Sequence, residues 1–332
     1  MNGRKGIAGI GRLIMVLAVM AGLIVPGANA SQPADSDPAG WPREFHNADG
    51  TTTTLTSPPK RILSTSVTIT GTLLAVDAPV VASATAANGR FFAQWDKVAQ
   101  TRHLEKLWPA GSVDLEAAYA VVPDLIVVAA TGGDSAIGQI DELKAIAPTI
   151  VLDYGGQTWQ DLAREIGAAT GLEAQANARI AEFDASVEAS RKKITLPAGK
   201  VNIISYNGPG ASNPIATPDG VHARLLRSLG FTLEAPDLAW QSNMAPRQDF
   251  VWAQYENLTR LSAPSTFLLS AGDDNVAAFL GDPMLANLPS VKNRQVYGLG
   301  VNSFRIDYFS AKEIIEGIVR RFGKVEQTVP SP

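Results

Sequence analysis

Short unbroken apolar runs alternate along this chain with stretches in which apolar residues recur every three or four positions. The clearest run is Leu125-Ile126-Val127-Val128-Ala129 with Asp124 ahead of it, entered through Pro123 and left through Gly132-Gly133. Arg61-Ile62-Leu63-Ser64, Val80-Val81-Ala82 and Thr149-Ile150-Val151-Leu152 have the same texture. A helix from about Ile69 to Val76 falls between the first two, and another, with Ser135 near its start, follows Gly133. Strands apolar on both faces and separated by helices predict a buried, mostly parallel sheet. Ahead of it, Phe45 to Leu55 carries Asp49-Gly50 between two extended runs, the signature of a hairpin.

From Leu172 to Ile194 there is no Gly or Pro, and Leu172, Ala176, Ile180, Phe183 and Val187 lie on one helical face. Such a segment makes a rod of roughly 35 Å at about 1.5 Å per residue, the width of a domain. Leu196-Pro197-Ala198-Gly199 stops it. The pattern then restarts: strands at Val201–Ser205, Thr266–Ser270 and Val296–Leu299, helices at Val221–Leu229 and Ser310–Arg321. One order of features occurs in each half. Glu116 leads to Pro123, a strand and Gly133-Asp134; Glu256 leads to Pro264, a strand and Gly272-Asp273. The expected fold class is therefore α/β, two Rossmann-like lobes joined by one long α-helix. The boundaries are 41–171 for the first lobe, 172–194 for the connecting helix, 195–323 for the second lobe and 324–332 for a disordered tail.

The N-terminus changes the picture by setting the compartment. Arg4, Lys5 and Arg12 precede an apolar run from Leu13 to Val25 and the triplet Ala28-Asn29-Ala30. This is the order of a secretory signal peptide, 1–30, with cleavage after Ala30. The run is too short to cross ~30 Å of hydrocarbon as a helix. Residues 31–40 are polar with Pro and Gly and read as a disordered leader. An exported chain with Cys 0 has no disulfides, no thiolate metal site and no cysteine for a lipid anchor, so a periplasm suits it. With His 3, an imidazole cluster is not expected, and no metal site is assigned. Three of the 28 Lys+Arg lie in the leader, so the mature chain has net charge −7 against 32 Asp+Glu. That surface repels nucleic acid and anionic lipid, and an anionic ligand needs a local basic patch.

No catalytic motif is present: no Gly-x-Ser-x-Gly elbow, no phosphate loop, no His-Glu-x-x-His. Gly132-Gly133-Asp134 after a strand could open an anion-binding helix N-terminus, without the fuller dinucleotide fingerprint. No catalytic residue and no cofactor are assigned. Loop aromatics beside arginines are more informative. Phe304-Arg305 lies just beyond the last strand, where open α/β sheets bind ligands. Arg90, followed by Phe91-Phe92, trails the strand at Val80, and Trp240 and Arg247 lie in an irregular stretch after Gly230. Taken singly, such residues are ordinary rim or core residues, and Phe91, Phe92, Tyr308 and Phe309 fit a core as well as a pocket. Guanidinium charge beside flat apolar walls is what an anionic aromatic ligand requires.

Several stretches carry a family resemblance. They are Ser64-Thr65-Ser66-Val67-Thr68, Thr131-Gly132-Gly133-Asp134-Ser135, Leu229-Gly230-Phe231, Gln295-Val296-Tyr297-Gly298 and Phe304-Arg305-Ile306-Asp307-Tyr308. In these the chain resembles the periplasmic ferric enterobactin-binding proteins of enteric bacteria, over most of Trp41 to Phe322. They are class III, siderophore-type substrate-binding proteins of ABC transporters. The resemblance implies a cleft for a ferric catecholate siderophore, with iron held by the siderophore, and delivery to an inner-membrane ABC permease. It implies ligand contacts by Arg305 and Phe304, with Arg90, Arg247 (in a similar Arg-x-Asp setting) and Trp240 in support. It also implies permease docking by Glu116 and Glu256, one acid per lobe. The chain departs from the family where Ala216 stands before Thr217-Pro218 in place of a tryptophan, and Trp240 or Trp252 is the candidate replacement. The alternatives within the fold are a hydroxamate siderophore, haem or cobalamin; outside it, a two-domain α/β enzyme.

Overall fold

The computed structural model describes residues 40–242 and 248–324. The expected signal peptide, residues 31–39 of the leader, Arg247 and residues 325–332 lie outside the described residues.

The chain enters through the expected hairpin, β1 (Arg43–His46) and β2 (Thr52–Leu55), turned at Gly50. The first lobe then builds a parallel sheet from β3 (Ile62–Ser64), β4 (Val80–Thr85), β5 (Glu105–Pro109), β6 (Leu125–Ala129) and β7 (Thr149–Leu152). Its order is β5-β4-β3-β6-β7. Every residue of β3, β6 and β7 is buried, as unbroken apolar runs require when helices cover both faces. Those helices are α1 (Val67–Ala75), α2 (Ala93–Thr101), α3 (Leu115–Ala120), α4 (Ile140–Ile146) and α5 (Trp159–Thr170). The hairpin is stitched to the edge strand β7: Asn47 accepts from the Val151 N–H at 2.8 Å, and the Thr53 hydroxyl donates to the Thr149 carbonyl at 2.6 Å.

Between the lobes runs α6 (Glu173–Lys193), one unbroken helix with the expected stripe of Ala176, Ile180, Phe183 and Val187 buried. Acid at its start and Arg191, Lys192 and Lys193 in its last turn match the helix dipole. The second lobe contains β8 (Lys200–Ile204), β9 (Ser212–Ala216), α7 (Val221–Ser228), β10 (Thr232–Leu233) and β11 (Phe250–Gln254). It continues with β12 (Ser265–Leu268), the single-turn helices α8 (Ala277–Leu280) and α9 (Pro289–Lys292), β13 (Val296–Gly298) and α10 (Tyr308–Phe322). Its sheet runs β11-β9-β8-β12-β13, with β10 on the start of β8. β8, β12 and β13 are parallel, whereas β9 runs against β8 and β11 against β9. The second sheet is thus mixed where the first is parallel.

The lobes are packed hard against each other. A single apolar cluster runs from Leu125 and Val127 in the first sheet through Phe183 on α6 to Ile203 and Phe267 in the second. Helix α10 packs on α1, α2 and α6 as well as on its own lobe. At the junction Trp159 of α5, Phe183 of α6 and Tyr308 of α10 form an aromatic cluster with centroids 5.1–6.2 Å apart. Arg179 of α6 lies over Tyr308 and donates to the Ala75 carbonyl at the end of α1. Tyr308 and Phe309, open between core and pocket in the sequence, belong to this packing.

Candidate functional site

A cavity of about 610 Å³ opens between the lobes. It lies beyond the carboxyl ends of the parallel strands, where such sheets leave loops free. The first lobe contributes Val67 and Thr68 at the start of α1, the loop after β4 with Asn88, Arg90, Phe91 and Phe92, and Asp134 after β6. The second lobe contributes Ser270 after β12 and Val301, Asn302, Phe304 and Arg305 after β13. A cavity of this size suits a drug-sized ligand.

Arg305 is half-buried, and its guanidinium carbon lies 5.2 Å from the Phe304 ring centroid and 5.9 Å from that of Tyr154, in the opposite lobe. Among the described residues it has no hydrogen-bonded carboxylate. Its wall is built in layers. Phe304 stacks on Phe250 of β11 at 5.9 Å, and Phe250 packs on His222 of α7 at 5.2 Å. His222 is fully buried, and burial pushes its pKa down to about 4, so the ring is neutral. Its Nε2 then donates to the Ser303 carbonyl at 2.9 Å, while the Ser303 hydroxyl accepts from the Ser270 N–H at 3.0 Å. Two hydrogen bonds therefore fix the loop that presents Phe304 and Arg305.

The first-lobe wall is organised differently. Asp134 is 7% exposed and receives three hydrogen bonds: from the Ser66 hydroxyl at 2.7 Å, the Thr68 N–H at 3.0 Å and the Tyr154 hydroxyl at 2.7 Å. Burial works against its charge, but those donors outweigh burial and hold its pKa below the usual carboxylate range. Burial, and after it the Asp134 charge, push the Tyr154 phenol up to about 12, so it remains a donor. Gly132 makes this reach possible. A Cβ at that position would lie 1.8 Å from the Tyr154 hydroxyl, and its φ of +102° suits glycine. The Gly-Gly-Asp turn thus does not open an anion-binding helix. It leads to a 3-10 turn, Ile137–Gln139, and supplies the carboxylate that caps the N-terminus of α1.

Asp307, next to the cavity, caps α10 and accepts from the Ser310 N–H at 2.9 Å and from Gln94 of α2 at 3.1 Å. Complete burial pushes its pKa up to about 6. Gly71 lets α1 pass this carboxyl: a Cβ there would sit 2.4 Å from Asp307 Oδ2.

Of the residues proposed from sequence, Arg305, Phe304 and Arg90 line one cavity, with Phe91 and Phe92 beside Arg90. Phe91 is buried and packs on Trp95, so it serves core and wall together. Trp240 packs against the second lobe's outer core and is not among the cavity-lining residues. Trp252 packs on the main core, and Ala216 is buried in β9 opposite Phe250, so neither reaches the cavity. Phe304, backed by Phe250, is the second lobe's aromatic wall. Arg247 lies outside the described residues. Glu116 and Glu256 are exposed, the first in the opening turn of α3, the second in a 3-10 helix, Tyr255–Arg260. Sequence reasoning missed Tyr154 altogether.

The model of the periplasmic binding protein family matches residues 62–302. The chain belongs to the periplasmic binding protein family. Among curated members, it is 41% identical to the ferric enterobactin-binding periplasmic protein FepB of Escherichia coli O6:H1, over 92% of this chain and 96% of that protein. Among solved members, holo-ViuP is 56% identical with a TM-score of 0.84, over 86% of this chain and 96% of that one. Staphylococcus aureus SirA, complexed with staphyloferrin B, has a TM-score of 0.66 at 20% identity, covering 84% of this chain and 98% of its own, and shares the fold alone. Family members of this kind are binding proteins for transport. Among the described residues no helix is long and apolar enough to cross a membrane.

Proposed function

We propose that this protein captures a ferric catecholate siderophore, of the enterobactin kind, in the cleft between its lobes. It releases the complex unchanged to an inner-membrane ABC permease, working from the periplasm after loss of residues 1–30. The observation that carries this reading is Arg305. A guanidinium flanked by two aromatic rings, with no carboxylate partner among the described residues, faces a cavity of about 610 Å³. A ferric triscatecholate presents just such complementary chemistry: anionic oxygens at the edges of flat rings. The siderophore fills iron's coordination shell, so the protein supplies no metal ligand and performs no reaction. Arg90, exposed at the opposite rim, adds a second cation from the first lobe; Arg247 is the proposed third. The similarity to FepB, across nearly the whole of both chains, supports the catecholate over other iron carriers.

Delivery rests on Glu116 and Glu256. α3 follows β5, whose next residue, Ala110, lines the cavity, so Glu116 stands at the cleft end of the first sheet. β11 ends at Gln254, opposite Ser212 at the cleft end of the second sheet, which places Glu256 there too. One exposed acid per lobe on the cleft face suits a permease built from two like subunits with basic patches.

Titration of intrinsic tryptophan fluorescence with a panel of ferric siderophores and haem tests the reading. Saturable binding of ferric enterobactin at one site, with ferric hydroxamates and haem far weaker, is expected. A preference for a hydroxamate complex or haem would overturn it.

A further inference from the structure

Arg305 has a long, flexible side chain, and none of its N–H groups is held by a hydrogen-bond acceptor among the described residues. Ordering such a side chain on binding has an entropic cost. Yet its guanidinium is already placed, between Phe304 of its own loop and Tyr154 of the other lobe. Contact with a ring face uses the charge and leaves the N–H donors free for a ligand. Tyr154 in turn is not a loose rim residue. It follows β7, its hydroxyl donates to buried Asp134, and Gly132 leaves the space through which that hydroxyl passes.

We infer that Tyr154 is a positioning residue for anion capture: anchored on Asp134, its ring holds the Arg305 guanidinium across the cleft before ligand arrives. This rests on the reading of the cleft as an anion site, and it adds a chain of command from Gly132 through Asp134 and Tyr154 to Arg305. The first lobe contributes to the site by steering a cation that the second lobe supplies. Tyr154 meets the second lobe beside the cavity through this contact, with the guanidinium already facing the cavity.

The test uses the mature chain with ferric enterobactin as probe. Tyr154→Leu should weaken binding about threefold to thirtyfold, the scale of a lost cation–π contact and lost preorganisation. Tyr154→Phe, which keeps the ring, should fall between wild type and Tyr154→Leu. In an Arg305→Ala background the Tyr154→Leu loss should shrink below about twofold, because the partner is gone. A ligand-free readout accompanies these. The Arg305 Nε–H NMR line should be ring-shifted in wild type and move toward the solvent-exposed position in Tyr154→Leu, with the Phe304 share of the shift remaining. If that variant does not fold, Tyr154→Met fills the space without a ring and carries the same expectations. An equal loss in both backgrounds, or an Arg305 line that does not move, overturns the inference. An Arg305 line that moves while wild type binds no ferric siderophore upholds the placement and sinks the ligand reading instead.

Discussion

The two lobes repeat one order of features and use it for opposite ends. After the fourth strand in each sheet's order comes a glycine and an aspartate: Gly133-Asp134 beyond β6, Gly272-Asp273 beyond β12. Asp134 is buried, takes three hydrogen bonds and caps α1 at the cleft. Asp273 is exposed and pairs with Arg321 on α10. The first lobe therefore brings its own anion to the cleft and satisfies it internally. The second keeps its cation, Arg305, without a carboxylate among the described residues. The sheets differ in the same spirit, parallel in one lobe and mixed in the other. A repeated backbone plan thus fixes where a loop emerges, and side chains decide whether that loop closes a charge or leaves it open.

The largest effect expected from probing this pairing is on delivery. Reversing both exposed acids, Glu116→Lys with Glu256→Lys, should abolish permease-dependent iron uptake and leave siderophore binding in solution intact. Uptake at the wild-type rate would return both to a helix-dipole role worth ~0.3–1 kcal/mol. Next comes the contrast between the aspartates, read by urea denaturation. Asp134→Ala strands three donors and should cost ~2–4 kcal/mol. Asp273→Ala removes the exposed partner of Arg321, which keeps its hydrogen bond to the Gly298 carbonyl, and should cost ~1 kcal/mol or less. Equal losses would erase the distinction between the lobes.

Acidity sharpens it further. Asp307 has its pKa raised to about 6 by burial, so its contribution to stability is complete below its ordinary value of 3.8 and is lost as pH rises through about 6. His222 has its pKa lowered to about 4, so its contribution is complete above its ordinary 6.5 and is lost as pH falls toward about 4. The two oppose each other in one window. Asp307→Asn keeps a capping side chain but removes one titration. Relative to wild type, this variant should lose ~2 kcal/mol more stability between pH 6.5 and pH 4. A profile parallel to wild type would contradict the assignment. The smallest expected effect is conformational. Because α6 is continuous and one apolar core crosses the junction, lobe closure should be slight. Small-angle scattering should give nearly equal radii with and without ferric enterobactin; a contraction of several ångströms would mean that the junction hinges.

Much of the fold was legible because burial dictates pattern. The runs at Leu125–Ala129 and Thr149–Leu152 can only be doubly covered strands, and the stripe from Ala176 to Val187 only a helix face. The β9–β11 pair was not legible. Pro214 interrupts one strand, and the pairing is between segments far apart in sequence, so no local period announces it. Arg305 was visible because a cation beside an aromatic, just past a strand, is unusual. Tyr154 was invisible because it follows its strand without a cation or motif, and its partners lie on two other loops, after β6 and after β13. Gly132-Gly133-Asp134 stood out as a motif, but its sign was inverted: local sequence cannot say whether a turn binds an anion or provides one. Trp240 shows the converse limit, since an aromatic in an irregular stretch fills a core as readily as it lines a cleft.

The most direct measurement is the affinity of Arg305→Ala for ferric enterobactin beside that of wild type, with melting temperature followed in the absence of ligand. Loss of a buried charge pair of ~2–5 kcal/mol predicts roughly 30-fold to several-thousand-fold weaker binding at about 1.4 kcal/mol per decade. The unliganded melting temperature should stay where it was, because no carboxylate among the described residues depends on this guanidinium. A loss smaller than about threefold would leave Arg305 a bystander at the rim and contradict the account.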